Sequence, residues 1–173
     1  MNIVIIGCGR VGAFLAGLLD ESGHAVTVVD LEKASFAHLP EPYKGNTLLG
    51  NGTDMDVLRQ AGIESAEAFL ALTQGDNRNL MAAQVAKEIF GVRRVIAKVN
   101  DPIRANLYRS QGITTFSRTS ILGTLLKAML DEDPEVGKVL LEQSLAHERR
   151  LAGDTSAPAP SAASAPGPAK VSR

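Results

Sequence analysis

Short apolar runs alternate with stretches of helical periodicity over residues 1–130. The six runs are rich in Val, Ile, Leu and Ala and have the length of buried strands: residues 3–6, 25–29, 46–49, 68–72, 94–99 and 113–116. Strands that alternate with helices in this way form a parallel sheet with helices on both faces. We therefore predict an α/β fold, a doubly wound parallel six-stranded sheet with flanking helices.

The large apolar residues of the intervening helices predict which side of each helix is buried. In the first helix they form one broad face, and in the helices near residues 76–90 and 102–111 they form narrower stripes. In chain order they are Val11, Phe14, Leu15, Leu18 and Leu19; Met81, Val85 and Ile89; and Ile103 and Leu107. We expect the last two stripes to pack inward against the sheet.

The helix predicted over residues 119–130 is apolar over an unusually wide arc. Lys127 is its only charged residue after Arg118. A helix of this kind either covers the core or binds a partner, and we favour a contact between subunits of an oligomer. Two adjacent stripes contain its large apolar residues: Ile121, Leu125 and Met129 in one, and Leu122, Leu126 and Leu130 in the other.

The pattern weakens after residue 130. Residues 131–134 interrupt it, and the residues from 136 onward predict one further helix. From Gly153 to Ala169 the composition changes to Ala, Pro, Ser and Gly, which cannot bury a core. We predict a folded domain over residues 1–130, a C-terminal helical extension over 131–150 and a disordered tail over 151–173.

A glycine motif joins the first strand to the first helix. Gly7-x-Gly9-x-x-Gly12 follows the strand directly. Gly7 allows a tight turn, Gly9 lets a pyrophosphate approach backbone N–H groups, and Gly12 lets the helix lie near the strand. The free N–H groups and the positive end of the helix dipole then point at the phosphate. Glycine turns also occur without a ligand, but this context predicts a Rossmann-like domain that binds a nucleotide.

Asp30 stands at the end of the second strand, 18 positions after Gly12. An acidic residue there can accept hydrogen bonds from both ribose hydroxyls of an adenosine. The same carboxylate would repel a 2′-phosphate. The alternative is that Asp30 caps a short helix over residues 31–38. We favour the ribose contact because the strand, the glycine motif and the acidic residue occur together at the spacing expected of a dinucleotide-binding fold.

Polar residues follow three further strands at the same predicted edge of the sheet. The turn at residues 50–54 faces the crevice or serves only as a turn before the next helix. Thr73 is placed to contact an adenosine or its ribose, while Asn77 either caps the helix or binds, and Asp76 is the natural N-cap. Lys98 either extends to the edge of the sheet or reaches a phosphate. These alternatives stay open.

Composition narrows the classes of function. The 173 residues are 45% hydrophobic and carry a net charge of −1, so bulk charge indicates no nucleic-acid or membrane-surface partner. No apolar run approaches the roughly 20 residues that span a bilayer, and the first residues do not resemble a signal peptide. The single cysteine, Cys8, fits a reducing compartment, so we expect a cytoplasmic protein. Cys8 is either redox-sensitive at the helix N-terminus or a small space-filling residue, which we favour.

The sequence offers no evident catalytic group. None of the three histidines follows a predicted strand, no Cys and His cluster has the spacing of a metal site, and no Ser, His and Asp arrangement is visible. No second domain is predicted that would bring a substrate. We therefore expect a binding module and not an enzyme. The alternatives are a small NAD-dependent oxidoreductase, or the cofactor half of one, and a scaffold with an empty crevice.

The motifs together resemble the N-terminal domain of the RCK family (regulators of potassium conductance), also called KTN or TrkA-N. The resemblance covers residues 1–130. The family commonly has GDGTD or GDATD at residues 50–54, and often has an arginine at the position of Lys98. The segments that carry the resemblance are IVIIGCGRVG at 3–12, VVD ending at Asp30, GNGTD at 50–54, LT-x-x-DN-x-N at 72–79, IAKVNDP at 96–102 and QGI at 111–113.

This resemblance implies a cytoplasmic regulatory subunit of a potassium transporter or channel of the Trk or Ktr kind, held at the inner face of the membrane by that partner. Such domains bind NAD, NADH, ATP, ADP or AMP and assemble as homodimers or rings. The implied nucleotide-binding residues are Gly7, Gly9, Arg10, Val11 and Gly12 at the phosphates, Asp30 at the ribose, Asn51, Gly52 and Thr53 on the adenosine side, Thr73 at the ribose or base, and Lys98 at a phosphate. The helix at 119–130 is similar to the crossover helix through which family members associate.

Two departures from the family pattern qualify these expectations. Asn51 replaces a frequent Asp, which removes one negative charge near the site. The sequence also shows no C-terminal ligand-binding lobe, so we expect either a lone nucleotide-sensing domain or one that works beside a second RCK-type subunit. In both cases the expected mechanism is a population shift, in which different nucleotides favour different arrangements of the dimer or ring.

Overall fold

Six parallel strands form one sheet in the order β3-β2-β1-β4-β5-β6. The computed structural model describes residues 1–130, so the predictions for 131–150 and 151–173 lie outside the described residues. The all-parallel pairing confirms the predicted doubly wound α/β fold. The strands are β1 Asn2–Ile6, β2 Ala25–Asp30, β3 Asn46–Leu49, β4 Ala68–Ala71, β5 Arg94–Lys98 and β6 Thr114–Phe116.

Helices connect the strands, and glycines follow several of them. Gly23, Gly91 and Gly112 have φ angles of 78°, 66° and 76°, the left-handed conformation in which glycine terminates a helix. Asp101 caps the helix that Pro102 begins. The α-helices are α1 Arg10–Glu21, α2 Met55–Gln60, α3 Asp76–Gln84, α4 Pro102–Ser110 and α5 Arg118–Leu130. Shorter segments are 3₁₀ turns at Lys33–His38 and Ile63–Ser65 and a π-helical turn at Val85–Ile89 that continues α3.

Residues 1–123 form one compact unit with a core on each face of the sheet. Alternate residues of each strand point to opposite faces. Ile3, Ile5 and Val28 are buried on the face that α1 covers. Val4 and Phe69 are buried on the face that α2 and α3 cover.

Small side chains contribute much of the buried sides of the helices, although Leu58 of α2 and Leu80 of α3 are also buried. In α1 the buried residues are Gly12, Ala13, Ala16 and Gly17, while Val11 and Phe14 are exposed. Small residues let a helix axis approach the sheet closely, and this geometry places the longer side chains of α1 at the edges of the contact or in solvent. The broad apolar face predicted for α1 is therefore only partly buried.

The stripes predicted for the helix near residues 76–90 and for α4 are mostly wrong, although Val85 is partly buried and packs against the core. Met81 is 56% exposed and Ile89 is also exposed, while Leu80, Ala82, Ala83 and Ala86 are buried. Ile103 is 81% exposed and Leu107 is exposed, while Ala105 between them is buried. Helical spacing identifies residues that share a side, but side-chain size decides which side fits against a sheet.

The helix predicted over residues 119–130 is confirmed as α5. No residue of α5 is buried, which contradicts the core-covering role and leaves the partner-binding role as a prediction. Ile121, Leu122, Leu126 and Leu130 are all exposed. Within residues 1–130, no helix has both the length and the apolar character needed to cross a membrane.

Candidate functional site

A crevice of about 230 Å³ lies at the carboxyl ends of the strands. Its walls come from the segments that follow β1, β2, β3 and β4, and they include Gly7, Asp30, Asn51 and Thr73. Strand order reverses between β1 and β4, and parallel α/β sheets bind ligands at such a switch point. The turn at residues 50–54 thus faces the same crevice as the glycine turn, as predicted.

Gly7 and Gly12 have structural roles that only glycine can fill. Gly7 has a φ of 98°, and a Cβ there would lie 2.9 Å from the carbonyl carbon of Leu72 and from the backbone nitrogen of Thr73. A Cβ at Gly12 would lie 1.9 Å from the carbonyl oxygen of Gly7. The first turn therefore packs on the end of β4, and α1 packs on the first turn.

Gly9 differs from the other two glycines of the motif. Its φ of −70° and ψ of 179° are ordinary extended values, and a Cβ would meet no atom within 4 Å. Gly9 lines the crevice, so a side chain there would extend into the crevice and would not clash with the rest of the protein. No side chain caps α1, whose first N–H groups follow Gly9. This arrangement fits a phosphate that approaches the backbone.

Asp30 connects the end of β2 to the glycine turn. Its Oδ2 accepts a hydrogen bond of 2.6 Å from the backbone N–H of Cys8, and its Oδ1 accepts one of 2.9 Å from that of Glu32. The N-cap of the 3₁₀ turn Lys33–His38 is Glu32, so the interpretation of Asp30 as the helix cap is wrong. Each carboxylate oxygen accepts more than one hydrogen bond, so Asp30 retains capacity for a ribose hydroxyl.

The turn after β3 is held by its own side chains. Asn51 Oδ1 accepts hydrogen bonds from the backbone N–H of Thr53 at 3.2 Å and from its hydroxyl at 2.9 Å. The Asp54 side chain caps α2 by accepting a hydrogen bond from the N–H of Asp56. Asn51 and Gly52 line the crevice. A Cβ at Gly52 would lie 2.6 Å from Cγ2 of Ile6, so this turn packs against the end of β1.

Asn79 is a buried polar residue whose role the sequence did not reveal. Its side chain is 0% exposed. Its Oδ1 accepts from the N–H of Thr73 at 2.9 Å and from its hydroxyl at 2.7 Å, and its Nδ2 donates to the carbonyls of Thr73 at 3.1 Å and Lys98 at 2.9 Å. One amide thus joins the carboxyl ends of β4 and β5, and it orients the hydroxyl of Thr73.

Asp76 and Asn77 connect α3 to the segment before α4. The N-cap of α3 is Gly75, so the prediction that Asp76 caps this helix is wrong. The Asp76 carboxylate accepts from the backbone N–H groups of Asn100 at 2.9 Å and of the following residue at 3.0 Å. Asn77 neither caps the helix nor lines the crevice, and its side chain accepts a hydrogen bond from Arg104.

The structure brings together only part of the predicted site. Gly7, Gly9, Asp30, Asn51, Gly52 and Thr73 line the crevice, whereas Arg10, Val11, Gly12, Thr53 and Lys98 do not. Lys98 is half-buried at the end of β5. Burial and the nearby Arg118 lower the pKa of its ammonium group, and Asp76 opposes that shift. A phosphate contact by Lys98 stays a prediction.

Cys8 is a core residue. Its side chain is 0% exposed and packs with residues beneath α1. Burial and the carboxylate of Asp30 raise the pKa of the thiol to about 11, so the thiolate is scarce at neutral pH. This contradicts the redox-sensitive alternative and agrees with the space-filling one. Among residues 1–130, no three His, Cys, Asp or Glu side chains form a group that could hold a metal ion.

Several crevice residues were absent from the predicted set. Glu32 and Ser35 add polar groups near the end of β2, while Gln74 and Arg78 add them near the end of β4. For Arg78 the available signal was position, since side chains in the first turn of a helix point back toward its N-terminus and hence toward the carboxyl end of the preceding strand.

A family model described as the TrkA-N domain matches residues 3–118. The Trk system potassium uptake protein TrkA from Streptomyces coelicolor is 50% identical over 115 residues, which are 66% of this chain and 52% of that protein. A TrkA homologue from Methanothermobacter thermautotrophicus is 35% identical over 113 residues, 65% of this chain and 52% of that one. The chain therefore spans about half the length of these relatives.

Solved structures share the fold. The TrkA-N domain of the inner membrane protein ybaL from Escherichia coli is 16% identical with a TM-score of 0.67, over 75% of this chain and 96% of that domain. The GsuK channel bound to NAD is 25% identical with a TM-score of 0.60, over 70% of this chain and 22% of that chain.

Proposed function

The chain belongs to the TrkA-N domain family, and on that premise we propose that it is a nucleotide-binding regulatory domain of a potassium transport system. The potassium uptake protein TrkA from Streptomyces coelicolor, which is 50% identical over 115 residues, supports the transport role. Its site would bind an adenine nucleotide or NAD(H), and its partner would be a membrane transporter of the Trk kind reached from the cytoplasm. The GsuK channel bound to NAD supports this ligand class.

The observation that carries the proposal is the open space at Gly9. Neither backbone conformation nor neighbouring atoms require glycine there, yet the residue borders the crevice next to the uncapped N-terminus of α1. A glycine that the protein's own packing does not need is explained by a ligand that comes close to the backbone. Phosphates would meet the N–H groups of α1, and Asp30 would accept the ribose hydroxyls.

The crevice supports binding better than catalysis. Among residues 1–130, its lining contains Asp30, Glu32 and Arg78 as charged groups, and contains no histidine, cysteine, lysine or tyrosine. A dehydrogenase needs a group that moves a proton at the substrate, and the two carboxylates of the lining, Asp30 and Glu32, lie at the β2 end, where we propose that the ribose binds. The proposed output is instead a change in how copies of the chain, or the chain and its partner, are arranged. A nucleotide drives such a change only if its affinity differs between the two arrangements.

Isothermal titration calorimetry of the full chain with NAD, NADH, ATP, ADP and AMP tests the proposal. We expect at least one of them to bind, and to raise the free energy of unfolding by about 2.7 kcal/mol at a hundredfold excess over its dissociation constant. Gly9→Ala should weaken that binding about tenfold or more while the unfolding temperature stays within a few degrees of wild type.

Gly75→Ala is the matched control for that experiment. Gly75 also precedes a helix with ordinary backbone angles, but it does not line the crevice, and a Cβ there would be at 4.0 Å from its nearest neighbour. This variant should bind like the wild type. Absence of binding by every nucleotide, or equal affinities for wild type and Gly9→Ala, would refute the proposed site.

A further inference from the structure

Of the described residues that line the crevice, Arg78 is the one with a positive charge. It is exposed in the first turn of α3, where a side chain points back toward the carboxyl end of β4. Over residues 1–130 its guanidinium takes part in no hydrogen bond, ion pair or ring contact. A guanidinium that carries five donors and lines a cavity without a protein partner is available to a ligand.

The location of Arg78 follows from the switch point between β1 and β4, where the strand order reverses. The turn after β1 packs on the end of β4, because the Cβ position of Gly7 is 2.9 Å from the carbonyl carbon of Leu72 and from the backbone nitrogen of Thr73. Arg78 follows five residues after Thr73. It therefore stands on the α3 side of the sheet, whereas the glycine turn leads into α1 on the other side.

Charge is distributed unequally along the crevice. The end near β2 carries two carboxylates, Asp30 and Glu32, and the end near β4 carries Arg78. Of these, Asp30 is hydrogen-bonded to backbone N–H groups of the protein. A nucleotide has the complementary pattern, since its ribose hydroxyls donate hydrogen bonds and its phosphates are anionic.

We propose that Arg78 binds the phosphates of the nucleotide and thereby makes the crevice selective for phosphorylated ligands over nucleosides. This inference rests on the proposed function, because it assigns a further residue to the same site. Arg78 would add a full positive charge at the β4 end of the crevice, beside the backbone N–H groups that the glycine turn offers. A charge-assisted contact of this kind strengthens as the ligand carries more phosphate charge, and salt screens it.

Titrations of the full chain with ADP at several salt concentrations, and with adenosine, test this assignment. Arg78→Gln should weaken ADP binding about tenfold or more, which corresponds to about 1.4 kcal/mol, and should make the affinity for ADP less dependent on salt. Adenosine affinity should change less than twofold. Arg78→Lys keeps the charge and should retain most of the ADP affinity.

Arg93→Gln is the matched control. Arg93 is exposed and precedes β5 at the amino end of the sheet, so this variant changes net charge equally but away from the crevice. It should bind ADP like the wild type. The inference is wrong if Arg78→Gln leaves the affinity for ADP and its salt dependence unchanged, or if adenosine loses as much affinity as ADP, which would place Arg78 at the base or ribose. A wild-type chain that binds no nucleotide overturns the proposed function itself, and the assignment of Arg78 with it.

Discussion

At the scale of single residues, Asn79 shows how one side chain can organise a site without lining it. Its amide joins the backbones of Thr73 and Lys98, which lie after β4 and at the end of β5. Both strand ends would otherwise leave polar backbone groups in a buried setting, where an unpaired group costs roughly 1–3 kcal/mol. The side chain of Thr73 also takes its orientation from Asn79.

Asn79→Ala should therefore destabilise the protein. The change leaves the N–H and carbonyl of Thr73 and the carbonyl of Lys98 without their partner, and we expect the free energy of unfolding to fall by about 2–4 kcal/mol. Urea denaturation followed by circular dichroism measures the loss. Asn77→Ala is the control on the same helix. Asn77 is exposed, so this substitution should lower the free energy of unfolding by about 0.5 kcal/mol or less. Similar losses in the two variants would mean that the buried amide has no special role.

At the scale of elements, α1 combines two requirements in one short helix. Its N-terminus must reach the crevice, and its buried side must lie close to β1. The buried residues Gly12, Ala13, Ala16 and Gly17 meet the second requirement by being small. The first is met because the helix starts immediately after a turn that Gly7 closes with a positive φ.

Gly12→Ala should disrupt the contact between α1 and the turn. The added Cβ would be 1.9 Å from a backbone oxygen, so the helix or the turn must move, and overpacking of this kind costs about 1–3 kcal/mol. Chemical denaturation should show that loss, and the affinity for the nucleotide should fall too because the helix N-terminus shifts.

The control for this substitution is Gly123→Ala in α5. That glycine is also helical, but its Cβ would meet no atom within 4 Å, so the variant should be neutral or gain up to about 1 kcal/mol from helix propensity. A Gly12→Ala protein as stable as wild type would show that the close approach is not required.

At the scale of the whole molecule, the exposed apolar side chains of α5 are the feature that residues 1–130 of a single copy do not explain. Leu122 is 52% exposed and Leu126 is 50% exposed, one turn apart, with Ile121 exposed beside them. Clustered exposed apolar side chains of this kind are typical of surfaces that bind another protein. If copies of the chain associate through α5, a bound nucleotide would act by changing how these copies are arranged.

We predict that the chain is a dimer or larger oligomer in solution and that Leu122→Glu with Leu126→Glu converts it to a monomer. Two charges on the apolar surface would be desolvated in the contact, which opposes association. Light scattering coupled to size-exclusion chromatography measures the mass. Thr119→Glu, an exposed polar position on the same helix, should leave the mass unchanged. A wild-type chain that is monomeric at high concentration would contradict this prediction, while nucleotide binding should persist in all three proteins.

The sequence by itself determined the elements, their order and the edge of the sheet where the site lies. Strand runs, glycine helix ends and the spacing from Gly12 to Asp30 are local patterns, and local patterns reflect backbone conformation that neighbouring residues impose. The glycine turn, Asp30 and the turn after β3 were predicted to share one crevice because parallel strands end at the same edge, and they do.

Only the tertiary structure decided which side of each helix is buried and which side chains line the crevice. The predicted apolar stripes of α3 and α4 lie mostly outside, since Ala82 and Ala105 are buried at the contact with the sheet while Met81 and Ile103 are exposed. The partners of Asn79 and the direction of Arg78 depend on segments up to 19 residues away in the chain. Hydrophobic periodicity does not predict contacts between residues that are far apart in the chain. Which side chain fits a given space, and which groups become its hydrogen-bond partners, is decided only when the elements pack together.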